Sequence, residues 1–466
     1  MALNIVIMAA GKGTRMKSGL PKVLHKIGGR ALVQHVLDAT APLAAERRIV
    51  ITGHGAEAVE AALGNAAQYV RQMPQLGTGH AIQQTVPVLG YEAGTTLILN
   101  GDTPLISTAT ARALVQASAG PDKKERLVLL NIEYADPTGY GRVVRDGDAV
   151  KAIVEHKDAS PEQREIRECY TGIMAAPTQA LKRWVMALKN NNVQGEFYLT
   201  DIVAMAVAEG LPVVGIKTTN ETEVLGVNSP LQLADLERRF QRGQAEALME
   251  QAGLRLADPS RFDLRGTLTC GSDVEIDVNC VFEGRVTLGD GVRIGAHCVI
   301  RNAEIGKNAR IHEFTHIDGE ALGATVGEGA LIGPFARLRP GAQLGPEVHI
   351  GNFVEVKNST LAKGAKANHL AYLGDATVGE RVNFGAGSIT ANYDGANKHR
   401  TVIGADVHVG SNCVLVAPVE IGAGATIGGG STITKPVEAG TLAVARGKQM
   451  AISGWLRPAK KNTGNK

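Results

Sequence analysis

Residues 403–433 read IGADVHVGSNCVLVAPVEIGAGATIGGGSTI, and this stretch decides the fold of the half of the chain that contains it. An aliphatic residue returns at every sixth position, and most of these residues precede glycine. The six positions are Ile403, Val409, Leu415, Ile421, Ile427 and Ile433. A period of six differs from the 3.6 residues of an α-helix and marks a repeat architecture. The stretch predicts a solenoid of short strands.

A second series of the same period precedes the first one. It consists of Val326, Ile332, Leu338, Leu344, Ile350 and Val356. Three hexads can form one triangular coil, with aliphatic side chains toward the axis and small residues at the corners, so that stacked coils supply the core. A narrow prism has little room for rings, in agreement with 56 glycines and 4% aromatic residues. The alternative, chance spacing in an all-β domain, requires two independent coincidences.

Two segments interrupt the hexads. Residues 358–372 separate the two series, and residues 391–401 (ANYDGANKHRT) are too polar and too rich in turn formers to make a face of the prism. Loops that project from a rigid scaffold often carry function. We expect chemistry at both interruptions.

The N-terminal half has a different pattern, in which apolar runs alternate with helical segments. Strands are predicted at 4–10, 48–52, 96–99 and 127–132, and helices at 32–45 and 56–62. Such alternation predicts a Rossmann-like α/β fold with a mostly parallel sheet. Its ligand site should lie at the carboxyl ends of the strands, where the loop at Gly11 and the turn Asn100-Gly101-Asp102 both fall.

The pattern changes at about residue 255, which gives the clearest domain boundary. Ser229-Pro230 is typical of a helix start and leads into a predicted connecting helix. We therefore predict an α/β domain at 1–228, a connecting helix at 229–254, a β-helix at 255–456 and a basic, flexible tail at 457–466.

Composition excludes several classes of protein. The net charge is +3, with the basic residues spread along the chain, so neither a nucleic acid nor a membrane surface is an expected partner. Five cysteines without a C-x-x-C pair argue against a disulfide framework and a structural zinc site. Neither a targeting segment nor an apolar membrane span is recognisable. These features favour the reducing cytoplasm.

The loop Gly11-Lys12-Gly13-Thr14-Arg15-Met16 follows the first predicted strand. Its glycines would let backbone N–H groups approach phosphate oxygens, which Lys12 and Arg15 would neutralise. The loop is neither a Walker A motif nor a dinucleotide fingerprint. By itself it could equally be an ordinary tight turn between a strand and a helix.

Further motifs follow this loop in a fixed order. They are Leu20-Pro21-Lys22, Gln75-Leu76-Gly77-Thr78-Gly79, Gly101-Asp102, Gly139-Tyr140-Gly141-Arg142, Glu155-His156-Lys157 and Val227-Asn228. The set resembles sugar-1-phosphate nucleotidyltransferases, and specifically the bacterial N-acetylglucosamine-1-phosphate uridyltransferases that carry a hexapeptide acetyltransferase domain. The resemblance spans nearly the whole chain. It also implies that the β-helix is left-handed and parallel.

The resemblance implies roles for residues at the nucleotide end. Arg15 and Lys22 would be catalytic groups on the phosphates, and Asp102 and Asn228 would hold Mg²⁺, which favours one or two protein oxygens together with substrate phosphates. The UDP-N-acetylglucosamine site would contain Met8, Gly11, Lys22, Gln72, Gly77, Thr78, Gly141, Glu155 and Asn228. Taken singly, Asp102 could simply cap a turn, and residues 155–157 could be a solvated charged run.

One position departs from the family pattern. Where the motif has asparagine before Thr-Gly, in the sugar site, this chain has Cys169-Tyr170-Thr171-Gly172. Tyrosine is larger and carries no amide, so the role of that asparagine is not transferred to Tyr170. Asn100 is a second position at which families of this type vary.

Acetyl transfer to an amine requires a base and donors for an oxyanion. His369, in the first interruption, is the candidate base, since imidazole titrates near neutral pH. His349 and His408 are taken to be structural or merely exposed. Arg339 and Lys357 directly follow the axis positions Leu338 and Val356, so they should point outward, three coils apart, and by themselves they could be a solvated face.

The same resemblance assigns the acetyl-transfer residues. Arg339, Lys357, Tyr372 and Asn383 would bind the sugar phosphate, and acetyl-CoA would contact Ala386, Asn392, Tyr393, Ser411, Gly429 and Arg446.

The implied protein is a cytoplasmic homotrimer, assembled through its β-helices. It acetylates glucosamine 1-phosphate from acetyl-CoA and then couples the product to UTP with Mg²⁺, which supplies precursors of peptidoglycan and lipopolysaccharide. One rival is a nucleotidyltransferase whose β-helix is only a scaffold, which His369 and the 391–401 segment disfavour. Another is a non-catalytic subunit of the exchange-factor type, which intact Arg15, Lys22 and Asp102 disfavour.

Overall fold

The computed structural model describes residues 2–90, 93–120 and 124–458. Contacts divide the chain into two compact units, Met1–Gly243 and Gln244–Lys466. The boundary between the units lies within the helix Pro230–Ala252. The domain limits drawn at residues 228, 254 and 456 stay predictions. Of the predicted tail, residues 459–466 lie outside the described part of the chain.

The first unit is built on a mixed, mostly parallel sheet. Its strands, with a separate hairpin formed by β2 and β3, are β1 (Ala2–Ala9), β2 (Lys26–Ile27), β3 (Arg30–Ala31), β4 (Arg47–Thr52), β5 (Gln68–Arg71), β6 (Gly94–Asn100), β7 (Leu127–Glu133), β8 (Gly141–Asp146), β9 (Ala149–Val154), β10 (Glu168–Pro177) and β11 (Val213–Lys217). The strand order is β11-β7-β10-β6-β1-β4-β5, and β8 joins β10 to β9. All pairs in the main order are parallel except those of β10.

Helices flank this sheet. They are α1 (Leu32–Thr40), α2 (Ala56–Leu63), α3 (Thr78–Gln83), α4 (Thr108–Ala119), α5 (Pro161–Arg164), α6 (Thr178–Ala187) and α7 (Ile202–Ala208), and the later helix α8 (Pro230–Ala252) runs from the first unit into the second. Consecutive residues of β1, such as Ile5, Val6 and Ile7, are fully buried because apolar cores cover both faces of the sheet. The predicted α/β class is confirmed for this unit.

The second unit is a parallel β-helix with three faces. The first face contains Arg255–Leu256, Glu275–Ile276, Arg293–Ile294, Arg310–Ile311, Leu331–Ile332, His349–Asn352, Lys366–His369, Asn383–Phe384, His408–Val409, Thr426–Ile427 and Leu442–Ala443. The second contains His316–Asp318, Arg337–Leu338, Glu355–Lys357, Tyr372–Gly374, Ile389–Ala391, Val414–Val416 and Thr432–Ile433. The third contains Ala324–Val326, Gln343–Leu344, Thr360–Leu361, Ala376–Val378, Thr401–Ile403 and Val419–Ile421. Phe262–Cys270, Cys280–Leu288 and Val299–Ile305 join the second and third faces at the start of the prism.

The repeated aliphatic residues form the axis of the prism, as predicted. Ile332, Leu338, Ile350 and Val356 are fully buried. Many corners carry asparagine or aspartate at positive φ, such as Asn358 at 44°, because these side chains tolerate the left-handed region better than most.

The expectation of an interruption at 358–372 is wrong. Thr360–Leu361 and Lys366–His369 are ordinary strands of the ladder, paired with the coils before and after them. The equivalent residues Asn352 and His369 lie 17 positions apart. A coil one residue shorter than three hexads shifts the phase of the aliphatic series, and the sequence then looks broken.

The second interruption is confirmed as an insertion. Asn383 and His408 occupy equivalent places 25 positions apart, so this coil is seven residues longer than three hexads. The extra residues follow the strand Ile389–Ala391 and form a loop closed by a bridge between Tyr393 and Lys398. Within the described ranges, none of the helices combines the length and apolar composition that crossing a lipid bilayer requires.

We expect Ile350→Ala to lower the free energy of unfolding of the second unit by about 2–5 kcal/mol, because the axis cannot collapse around the lost methyl groups. Val402→Ala is the matched control, since the Val402 side chain is 38% exposed, and it should change that free energy by less than about 0.5 kcal/mol. Urea unfolding of the full chain provides the measurement. Equal losses in the two variants would contradict an axial core.

Candidate active sites

Two cavities open beside the carboxyl ends of the parallel strands β1 and β6. Their volumes are about 300 Å³ and about 350 Å³, and both are lined by Asn100 and Asp102, where β6 ends. The predicted convergence of the Gly11 loop and the 100–102 turn is therefore observed, since Gly11 lines the first of these cavities.

The first cavity collects most of the residues assigned to the nucleotide. Its lining includes Met8, Gly11, Lys22, Gln72, Gly77 and Thr78. Gln72 is buried, and its Nε2 atom donates to the Gly77 carbonyl at 2.9 Å, which ties β5 to the loop before α3. Gly77 has φ 110°, and a Cβ atom there would lie 2.6 Å from the Phe197 carbonyl oxygen, so a side chain would collide with backbone.

The second cavity also borders Asp102. Arg15, Asp102 and Asn228 line it together with Thr171 and Gly139. The Gly11 loop thus contributes to both cavities, through Gly11 to one and Arg15 to the other.

The Lys22 ammonium connects Asp102, which follows β6, with the segment that contains Asn228. It forms an ion pair with Asp102 and donates to Asn228 Oδ1 at 3.0 Å. A carboxylate and an amide oxygen, from positions far apart in the chain, therefore converge on one positive charge. Such an oxygen pair fits a hard divalent cation, which would take further oxygens from water and from substrate phosphates.

Gly141 and Glu155 lie together, but neither is among the lining residues of the two cavities. A Cβ atom on Gly141 would lie 3.7 Å from both carboxylate oxygens of Glu155. Thr200 donates to Glu155 Oε1 at 3.1 Å, and burial raises the pKa of this carboxyl above its usual range.

Tyr170 belongs to the core rather than to the cavities. It is 7% exposed and packs among buried apolar residues, and its hydroxyl takes no hydrogen bond within the described part of the chain. Burial raises the pKa of the phenol well above its usual value. Asn100, in contrast, lines both cavities, and its Nδ2 atom lies 3.5 Å from the Thr171 carbonyl.

In the second unit, His369 ends a strand of the first face and is exposed. Its Nδ1 atom lies 3.0 Å from Asn352 Oδ1 on the preceding coil. An amide oxygen only accepts hydrogen bonds, so Nδ1 is the donor in this contact, and in the neutral ring Nε2 keeps its lone pair. The motifs did not single out Asn352, which the structure shows to be the partner of the candidate base.

The cations assigned to the sugar phosphate lie on successive coils, and the expectation of three coils between them is wrong. Leu338 pairs with Val356, and the residue after each is Arg339 or Lys357. Arg339 donates to Glu355 Oε1 at 2.8 Å. Contact with Lys398 from the inserted loop, followed by burial, holds the pKa of Lys357 below its usual value. Lys398 was also missed.

Tyr372 spans the second face between the two groups of assigned residues. Its hydroxyl lies over Gly374 and 3.5 Å from Asn392 Nδ2. His369 precedes this strand at one corner, whereas Asn392 and Lys357 lie at the next corner. Tyr393 is exposed, and its hydroxyl donates to the Gly395 carbonyl at 2.6 Å.

The remaining assigned residues lie on the first face and at its corner with the second. Asn383 contacts His408, with 3.2 Å between Nδ2 and Nδ1. The carbonyl of Ala386 accepts from the Asn412 N–H at 2.7 Å. Gly429 and Ser411 occupy neighbouring coils there, and a Cβ on Gly429 would lie 3.5 Å from the Ser411 carbonyl. Arg446 donates to the Gly429 carbonyl at 2.7 Å.

Comparison with known proteins supports the same division of the chain. The model of the MobA-like NTP transferase domain matches residues 5–159. The model of the bacterial transferase hexapeptide (six repeats) matches residues 268–302, 323–358 and 400–435.

Full-length relatives are similar over both units. The bifunctional protein GlmU of Methylibium petroleiphilum is 73% identical, covering 98% of this chain and 100% of that protein. Those of Albidiferax ferrireducens and Acidovorax sp. are 65% and 64% identical, covering 98% and 99% of this chain and 100% of each relative. The family predicted from the order of motifs is thereby confirmed, and the chain belongs to the family of the bifunctional GlmU proteins.

Proposed function

We propose that this bifunctional uridyltransferase and acetyltransferase makes UDP-N-acetylglucosamine in two steps. The second unit acetylates glucosamine 1-phosphate from acetyl-CoA, and the first unit joins the product to UTP and releases pyrophosphate. The observation that carries the proposal is that each unit has its own set of reactive side chains, around Asp102 in one and around His369 in the other.

Uridylyl transfer mainly requires positioning and charge neutralisation. Asp102 and Asn228 would hold Mg²⁺, which supplies positive charge to the reacting phosphates when it is bound. Lys22 and Arg15 flank this place from the two cavities and would bind phosphate oxygens. Gln72 and Gly77, tied together by a hydrogen bond, would bind the uracil.

Acetyl transfer requires the amine of the sugar to lose a proton as it attacks the thioester carbonyl. His369 Nε2 would take this proton, while the hydrogen bond from Nδ1 to Asn352 keeps the ring in the required tautomer. Arg339, Lys357 and Lys398 would bind the phosphate dianion, since their mutual repulsion is relieved by an anion. Ser411 would assist at the oxyanion or the cofactor.

We also propose a cytoplasmic homotrimer assembled through the β-helices. One corner of the prism carries three exposed, stacked phenylalanine rings, at Phe314, Phe335 and Phe353, with centroids 4.9 and 5.4 Å apart. All three have positive φ, an unfavourable conformation for an aromatic residue. An apolar ladder of this kind is suited to contact with another copy of the chain.

A coupled assay with the purified chain tests the proposal. Glucosamine 1-phosphate, acetyl-CoA, UTP and Mg²⁺ are supplied, each is omitted in turn, and free thiol and pyrophosphate are followed separately. Thiol release should not depend on UTP. Pyrophosphate release should depend on acetyl-CoA unless N-acetylglucosamine 1-phosphate is added. Pyrophosphate without thiol would favour the scaffold alternative, and neither signal would favour a regulatory subunit.

The two activities should be separable by substitution. His369→Ala is expected to lower the kcat of acetyl transfer about 10²–10⁴-fold, the usual contribution of a general base, and to leave uridylyl transfer unchanged. Asp102→Asn is expected to do the reverse, with a loss of about 100-fold or more, because a metal ion supplies several kcal/mol of charge stabilisation. Each variant controls for the folding of the other. Loss of both activities in either variant would contradict two independent sites.

Lys398→Gln should raise the KM for glucosamine 1-phosphate about 10-fold while the kcat of acetyl transfer changes little, because one of three phosphate-binding charges is lost. Lys363→Gln is the matched control. Lys363 is exposed, and it pairs with Glu347 on the side of the prism that the third face forms. Initial rates over a range of sugar phosphate concentrations give both constants. A KM equal to that of the Lys363→Gln control would exclude Lys398 from the site.

Tyr170→Phe tests whether tyrosine at this position has a role in the sugar site. The hydroxyl is buried without a partner in the described chain, so its removal should raise the free energy of unfolding by about 1 kcal/mol. The KM for N-acetylglucosamine 1-phosphate in uridylyl transfer should stay unchanged. A large rise in this KM would show that the hydroxyl reaches the sugar when substrate binds.

A further inference from the structure

A buried carboxylate, Asp375, lies beside the inserted loop and has no assigned role. It is 7% exposed and follows the strand Tyr372–Gly374, at the corner between the second and third faces. Its φ is 49°. Burying a charged side chain is costly unless it is well paired, so its contacts require an explanation.

Two amide side chains surround this carboxylate. Asn358 Nδ2 donates to Asp375 Oδ1 at 2.5 Å, and Asn392 Nδ2 donates to Asp375 Oδ2. Lys357 is the neighbouring cation. The contact with Lys398 lowers the pKa of Lys357, and the negative charge of Asp375 raises it. Asp375 is therefore linked both to the proposed phosphate site and to the start of the inserted loop.

The corner itself does not require a carboxylate. Asn302 occupies the same corner on an earlier coil, with φ 45°. Its Oδ1 accepts from the Arg285 N–H at 2.9 Å, and its Nδ2 donates to the Glu320 carbonyl at 2.8 Å. Asparagine thus meets the structural needs of this corner through backbone contacts, whereas among the described residues the side-chain oxygens of Asp375 accept only from two other side chains.

A carboxylate differs from an amide because it only accepts hydrogen bonds. Asp375 therefore requires Asn392 to turn its NH₂ group inward, where Tyr372 Oη also lies at 3.5 Å. Asn392 Oδ1 takes no hydrogen bond from the described residues and is left to accept one from a ligand.

We propose that Asp375 is a positioning residue for acetyl transfer, which fixes the Asn392 amide so that its Oδ1 atom accepts a hydrogen bond from the amino group of glucosamine 1-phosphate. The inference rests on the proposed function. In this sugar the amino group is on the carbon next to the one that carries the phosphate. A group held beside the phosphate-binding cations is therefore in reach of the amine.

The test is Asp375→Asn, which keeps the shape of the side chain. The new amide can accept from Asn358 and donate toward Asn392, and Asn392 can turn over and accept. All hydrogen bonds are then remade, so the thermal midpoint should stay within about 2 °C of wild type. The turned Asn392 presents NH₂ to the amine, and kcat/KM for glucosamine 1-phosphate should fall roughly 10- to 100-fold.

The reciprocal variant sharpens the test. Combining Asp375→Asn with Asn392→Asp returns an acceptor oxygen to position 392, and kcat/KM should recover most of the loss. This variant also carries the test if the single substitution does not fold. Asn302→Asp is the matched control at the same corner. It should lower the thermal midpoint, because its donor to the Glu320 carbonyl is lost, and leave kcat/KM unchanged.

Wild-type kcat/KM in Asp375→Asn would overturn the proposal. The proposal would also be overturned if Asp375→Asn lowered both the thermal midpoint and kcat/KM and the double variant restored only the thermal midpoint. A purely structural contact predicts that result. If the wild-type chain does not acetylate glucosamine 1-phosphate at all, the proposed function fails rather than this inference. Uridylyl transfer should be unchanged in all these variants.

Discussion

The second unit depends on one constraint, which is that strands of two or three residues obtain their hydrogen-bond partners only from the coils before and after them. Leu331–Ile332, for example, is paired on both sides by equivalent strands of neighbouring coils. A single coil could neither satisfy its backbone nor bury its aliphatic residues. The hydrogen-bond ladder therefore fixes the position of every face residue along the axis of the prism. Side chains from coils that are far apart in the sequence come together with little conformational freedom.

The first unit solves the same positioning problem with a parallel sheet. The loops after β1 and β6 meet at one edge, since the carboxyl ends of parallel strands point the same way. Lys22, Asp102 and Asn228 are thereby held within hydrogen-bonding distance although they come from three separate segments. One unit creates its site by topology and the other by repetition.

The period of the repeat, the axis residues and the edge of the first unit's sheet that carries the site could be predicted from the sequence, because they follow from local patterns of apolar residues. The sequence was not sufficient to predict the structure where the phase of the repeat changes. The 17-residue coil made residues 358–372 look like a loop, which also hid the pairing of His369 with Asn352. Asp375 and Lys398 were not singled out for a related reason, since the partners that give them their place in the site come from other coils. Counting residues from coil to coil would have found Asn352 and Asn358.

Coils of 17, 18 and 25 residues are stacked in this prism without loss of strand pairing. Length changes are therefore absorbed at corners, while the faces keep their register. For protein engineering, the corners of such a scaffold are places where foreign peptide segments can be grafted. The 391–401 segment is a natural example of an insertion at a corner. This polar loop brings Tyr393 and Lys398 to a surface on which the repeat alone would not place them.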